Sequence, residues 1–155
     1  MPLPTSSDEI WAHIERWPFA VLGFVTPSGE ARAAGVMYRV RHRRLYIITG
    51  PDTWKARHIS RNPHVSVTVT VQRVPIRIRQ APPAVITFSG RAAVLPIESV
   101  DPDLRAQLLR GVGDDIGPSC VIEIEPVGRF VTYGIGINPM QMRHPDKALA
   151  RVPVG

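Results

Sequence analysis

The residues best suited to chemistry lie in one stretch, LYIITGPDTWKARHISRNPHVSVTV, from Leu45 to Val69. A β-branched and aromatic run, Leu45 to Thr49, ends at Gly50-Pro51-Asp52, which reads as a strand followed by a tight turn. Asp52 or Thr53 can then cap a short helix through Trp54, Lys55, Ala56, Arg57, His58 and Ile59. Asn62-Pro63 stops that helix, because proline disfavours helical geometry in the residue before it. A helix start exposes backbone N–H groups without intrahelical acceptors, and Lys55 stands in the first turn. Together they suit an anion, most simply a phosphate. The same residues also describe an ordinary solvated connector, and residue chemistry alone leaves both readings open.

Other chemistry is sparse. The five histidines, His13, His42, His58, His64 and His144, show no ligand-type spacing with cysteines or carboxylates, so a metal site is not expected. Cys120 is the single cysteine. It sits in the apolar run to Ile124 and reads as a small core residue. Ser66 and Ser89 lack the Gly-x-Ser-x-Gly elbow of a serine hydrolase. Glu123 and Glu125 share one face of a strand, and an exposed strand face is their simplest reading. An enzyme with these residues would take its reactivity from a cofactor, which the protein binds and orients.

The elements that must position the Lys55 segment are mostly strands. Ser6 to Arg16 reads as a helix, with Ser6 and Glu9 in capping-box spacing and Ile10, Ile14 and Trp17 on one face. Phe19 to Thr26 is a buried strand, Pro27-Ser28-Gly29 a turn, and Ala31 to Val40 a second strand. Gly35 at its middle suggests a bulge or a ligand against the backbone. His64 to Gln72 alternates strictly, with Val65, Val67, Val69 and Val71 on one face. Arg73 to Pro83 is a proline-bounded basic insertion. Ala84 to Leu95 is a further strand, Asp101 to Arg110 a short helix, and Gly111 to Asp115 a plain loop. Ser119 to Glu125 and Gly128 to Ile137 are expected as a last pair of strands joined at Pro126-Val127. Residues 138–155 are expected as a tail. The expected fold is mainly β: six to seven mostly antiparallel strands in a small barrel with short helices, one domain over residues 1–155.

Bulk properties narrow the function classes. The chain has 155 residues, 44% of them apolar, enough for a real core. Sixteen prolines fall at segment boundaries and act as punctuation. One cysteine excludes an internal disulfide and fits a reducing cytosol. With neither a signal pattern nor an apolar run long enough to span a bilayer, a cytoplasmic protein with no membrane partner is expected. The formal charge of +6 favours anionic partners. Its densest arginine groups are Arg39 to Arg44, a solvated hairpin tip by expectation, and Arg73 to Arg79. No DNA- or RNA-binding motif accompanies them, so nucleic acid is not the expected partner.

From Ile47 to Val67 the chain resembles the pyridoxamine 5′-phosphate oxidase-like split-barrel superfamily. In that family a strand ends in threonine, a short lysine-bearing helix follows, and Asn-Pro leads into the next strand. Thr49, Lys55, Asn62 and Pro63 match without a gap, and the resemblance extends over roughly Trp11 to Ile137. It implies a homodimeric split β-barrel that binds FMN or the deazaflavin F420 at the dimer interface and acts on a small-molecule substrate. By position, Thr49 and Lys55 would hold the cofactor phosphate, and Gly35, Val36 and Met37 would run beside the ring. Ile48, Trp54 and Arg57 complete the implied contacts. The tail around Met140 to Arg143 would help close the site of a second subunit. Tyr38 and Tyr133 are the candidate proton donors.

The resemblance has gaps. The namesake enzymes carry an arginine where this chain has Trp54, and a lysine where it has Met37 or Tyr38. Their C-terminal Trp and Arg signature is not recognisable. Pyridoxamine phosphate oxidation is therefore not the expected reaction. A basic groove of Lys55, Arg57 and Arg61 favours F420 over FMN. The expected activity is hydride transfer between that cofactor and a small organic acceptor. The alternative is a protein on the same fold that sequesters flavin, F420 or haem.

Overall fold

The computed structural model describes residues 3–4, 6–71, 83–113, 117–138 and 140–155. The Arg73–Pro83 insertion, apart from Pro83, lies outside the described residues, as do Gln72 and the end of the Gly111–Asp115 loop. Helix α1 (Ser7–Arg16) starts at Ser6, whose hydroxyl accepts from the Glu9 amide. Strands β1 (Phe19–Val25) and β2 (Ala31–Met37) form a hairpin. β3 (Arg39–Arg41) and β4 (Arg44–Thr49) form another, and helix α2 (Trp54–Arg61) follows. β5 (His64–Val71) and β6 (Ala84–Pro96) lead to helix α3 (Pro102–Arg110). β7 (Cys120–Tyr133), a short helix α4 (Pro145–Ala148) and β8 (Leu149–Pro153) complete the chain.

The strands run in the order β2-β1-β5-β6-β7-β4-β3, with β8 added beside β7. The two terminal strands of that path, β2 and β3, are consecutive in sequence with only Tyr38 between them. A flat sheet cannot satisfy both positions, so the sheet curls until its ends meet. The fold is a mainly β split barrel, as the sequence implies, with all pairs antiparallel.

The barrel closes on apolar side chains. Val65, Val67, Val69 and Val71 point inward, as their alternation predicts, while Ser66, Thr68 and Thr70 point outward. Ile10, Trp11 and Ile14 of α1 cap the same core. Phe130 lies at its centre, edge-on to Trp11 and to Phe88. A second, smaller core sits outside the barrel, where Leu104 and Leu108 of α3 cover Tyr46 and Val121.

Three expectations are corrected. Ala31 to Val40 is two strands, because Tyr38 turns the chain from β2 into β3. Its amide bonds back to the Pro18 carbonyl. Residues 119–137 do not form a hairpin. β7 runs straight through Pro126, and Gly128, at φ 75°, takes up a register shift against β6. The C-terminal segment is no tail, since β8 pairs with β7 and Ser7 Oγ donates to the Val154 carbonyl at 2.7 Å. The Arg39–Arg44 segment is an exposed hairpin tip, as expected, and carries surface ion pairs. Arg41 meets Asp101, Arg43 meets Asp8, and Arg44 meets Glu123 and Glu125.

Candidate functional site

Thr53 builds the start of α2. Its hydroxyl donates to the Gly50 carbonyl at 2.9 Å and accepts from the Ala56 amide at 3.4 Å. Its single proton being so used, the Thr49 hydroxyl is the donor in the 3.1 Å contact between the two threonines. Thr49 thus stands behind Thr53 and fixes it. The Trp54 and Lys55 amides are left at the free end of the helix, where no intrahelical acceptor can reach them. Among the described residues no carboxylate pairs with Lys55. The Lys55 ammonium also acts on Cys120, whose thiol burial pushes up while the lysine charge partly opposes that rise.

A cavity of about 580 Å³ opens in front of this turn, within the range of small-ligand pockets. Thr53, Trp54, Lys55 and His58 form its helical wall. Phe24 of β1 and Arg32, Ala33 and Ala34 of β2 form the other. Arg32 is placed there by the hairpin register that sets it opposite Phe24. Its guanidinium is also 2.9 Å from Glu30. Three rings form a row from β1 across to the helix. His58 lies between Phe24, with centroids 6.1 Å apart, and Trp54, at 5.3 Å. Trp54 is 73% exposed at the mouth, with the Arg57 guanidinium 6.0 Å above its ring.

The structure therefore gathers Trp54 and Lys55 at the cavity, with Thr49 behind them and Arg57 at the rim. It does not bring Gly35, Val36, Met37 or Ile48 to that cavity. Val36 points into the core. Gly35 faces outward beside Phe19, whose ring would lie 3.0 Å from a Cβ at that position. The glycine accommodates a neighbouring ring and forms no bulge. Met37 and Ile48 instead line a small recess against Leu108 and Val112 near the end of α3. Sequence reasoning missed Phe24, Arg32, Thr53 as a lining residue, and His58. His58 was within reach, because it follows Trp54 by four residues on the same helical face.

Neither expected proton donor is free. The Tyr38 hydroxyl is buried against the Ile14 and Trp17 carbonyls, and burial pushes its ionisation well above the usual phenol range. The Tyr133 hydroxyl donates to the Met142 carbonyl. Glu123 is a structural carboxylate too: Arg44 lies 3.2 Å away, and Tyr46 is pushed up to about 12 by burial and its bond to Glu123.

The structure is thus a split barrel with a cavity beside a helix start, lined by Arg32, Lys55 and aromatic rings. The pyridoxamine 5′-phosphate oxidase family model matches residues 6–132, and the chain belongs to that family. No curated protein matches it. Among solved structures it is similar to an F420 reductase at 18% identity, covering 84% of this chain and 98% of that one with a TM-score of 0.59. A haem-binding protein from Mycobacterium smegmatis matches at 13% identity, 99% and 60% coverage, and a TM-score of 0.70. HutZ, the haem storage protein from Vibrio cholerae, matches at 14%, 82% and 94%, and 0.60. At these identities the likeness is one of fold. Among the described residues no helix is long and apolar enough to cross a membrane.

Proposed function

We propose that the protein is an oxidoreductase that uses a phosphate-bearing flavin-type cofactor, F420 in first place and FMN in second, on a small organic acceptor. The observation that carries this reading is the cavity itself. It joins two cations, Arg32 and Lys55, and free helix amides to a row of aromatic rings. Cations and amides suit a phosphate, and an apolar ring-lined wall suits a planar heterocycle. When bound, the cofactor ring supplies the hydride chemistry. The chain's own residues hold the phosphate at Lys55, the Trp54 and Lys55 backbone amides and Arg32, and shield the site from water with Phe24 and the alanines of β2.

The cavity is proposed to be completed by a second copy of the chain. Phe19, Val21 and Met37 leave apolar surface on the outer face of β1 and β2. A shallow groove on that face shares Phe24, Arg32 and Ala33 with the cavity. Sedimentation should find a dimer, and a monomer at the concentrations used for titration would contradict this part of the reading.

A second reading is sequestration without turnover. It is favoured by the commitment of both candidate tyrosine hydroxyls to backbone carbonyls, and haem-binding proteins share the fold. Titration of purified protein with F420, FMN and haem, followed by absorbance and fluorescence, separates the cases. The oxidoreductase reading expects F420 or FMN to bind at low micromolar concentration or tighter, and the reduced cofactor to be consumed by an acceptor. Haem binding with neither flavin-type cofactor bound would overturn it.

A further inference from the structure

Outside the α2 cavity, one recess combines an apolar wall with a cation that meets no carboxylate. It lies between the end of α3 and the turn from β2 into β3, with a volume of about 100 Å³. Met37, Ile48, Leu108 and Val112 supply its apolar lining, and Arg39 and Gln107 its polar groups. Met37 and Val112 are 58% and 44% exposed, so apolar surface is left open there.

Arg39 differs from the other arginines of its hairpin. Arg41 has Asp101 within reach, Arg43 has Asp8, and Arg44 has Glu123 and Glu125. Arg39 has no carboxylate partner among the described residues. It is half-buried, and its guanidinium donates to the Tyr38 carbonyl at 3.1 Å. A guanidinium carries five donors in a planar fork, so most remain for a ligand. That fork matches a carboxylate through two parallel hydrogen bonds. The recess is smaller than the roughly 300–1,000 Å³ of a pocket that encloses a whole ligand. It suits one arm of a ligand, a short apolar chain ending in a carboxylate.

The position of the recess gives that arm a role. Both sites are lined by β2, the cavity at Ala34 and the recess at Met37. Three residues of strand span about 10 Å. A molecule bound in the recess would therefore lie next to a cofactor anchored at the start of α2 and running along β2. We propose that the recess is a subsite for a short aliphatic carboxylate arm of the hydride acceptor, with Arg39 as the carboxylate contact and Met37, Ile48 and Val112 around the chain. The carboxylate is a handle and takes no part in the redox step. The acceptor role rests on the oxidoreductase reading, whereas the subsite itself does not.

The test uses the purified protein without cofactor and butyrate as the probe, followed by amide proton and nitrogen chemical shifts. Butyrate should move the resonances of Met37, Ile48, Gln107 and Gly111 and reach saturation. Butyramide, which lacks the charge, should bind about tenfold more weakly. Acetate, which lacks two methylenes, should also lose about tenfold. Arg39→Gln should bring butyrate down to the level of butyramide, and Arg39→Lys should keep part of the difference. Val112→Trp, a substitution at an exposed position, should fill the mouth and abolish the shifts. The dispersion of each spectrum checks that the variant is folded. Butyrate shifts on another surface, an affinity equal to that of butyramide, or one unmoved by Arg39→Gln would overturn the inference. FMN and F420 titrations are read separately. Failure of butyrate while either cofactor binds would remove the subsite alone. Butyrate bound in the recess while neither cofactor binds would uphold the subsite and overturn the oxidoreductase reading.

Discussion

Lys55→Ala is expected to weaken F420 and FMN alike by about ten- to a hundredfold, the loss of one charge-assisted hydrogen bond of roughly 1.5–3 kcal/mol. The reason is local. Lys55 lies in the first turn of α2, lines the cavity, and has no competing carboxylate among the described residues. Its ammonium is therefore available to a ligand at no cost in broken ion pairs. Stability should hardly change, because the side chain is only partly buried and forms no ion pair among the described residues. Equilibrium titration of the variant beside the wild type reads the effect. Riboflavin, which has the ring without the phosphate, provides the control and should bind equally to both proteins. An affinity for FMN and F420 untouched by the substitution would mean that the phosphate is held elsewhere.

The second large effect concerns the frame. Phe130→Ala should destabilise the protein by about 3–5 kcal/mol, the usual range for removing a buried phenylalanine from a packed core. Phe130 is fully buried, and two aromatic rings lean on its edges and face. Trp11 stands at 5.7 Å and 90°, Phe88 at 5.3 Å and 84°. Trp11 belongs to α1 and Phe88 to β6, so the one side chain joins the N-terminal helix to the barrel wall. Backbone pairing with β8 surrounds it, with Phe130 opposite Val152, which leaves little freedom for the cavity to collapse. Chemical denaturation gives the number. For comparison, Phe19→Ala on the half-exposed outer face should cost far less. If the two substitutions cost the same, the core is not where the burial pattern puts it.

The parts of the fold that were legible in the sequence are those where a local pattern matches a local cause. The valine alternation of β5 is read directly because one face of that strand is inside the barrel. Ser6 and Thr53 announce helix starts because capping is a contact over three residues. β7 was misread for the opposite reason. Pro126 and Gly128 look like turn residues in isolation. Only the register against β6, which shifts between Thr87 and Ser89, shows that they form an irregularity within one continuous strand. β8 carries no strong alternation and becomes a strand by pairing with β7, a contact that nothing near it in sequence encodes.

The site divides in the same way. Lys55 and Trp54 lie on a segment whose strand, turn and helix follow one another, so they could be found by eye. Arg32 and Phe24 reach the cavity through the pairing of β1 with β2 and the packing of α2 on β1, both of which depend on tertiary structure. Gly35 shows how a local signal can have more than one cause. A glycine in mid-strand suggests a ligand against the backbone, yet the atoms nearest to its missing Cβ belong to Phe19.

The central claim is that a phosphate-bearing cofactor is anchored at the start of α2. A crystal structure of the protein with F420 or FMN tests it most directly. The phosphate is expected within hydrogen-bonding distance of the Lys55 ammonium and the Trp54 and Lys55 amides, with Arg32 facing it from β2. A phosphate bound on another surface, with the α2 cavity holding no part of the cofactor, would contradict it.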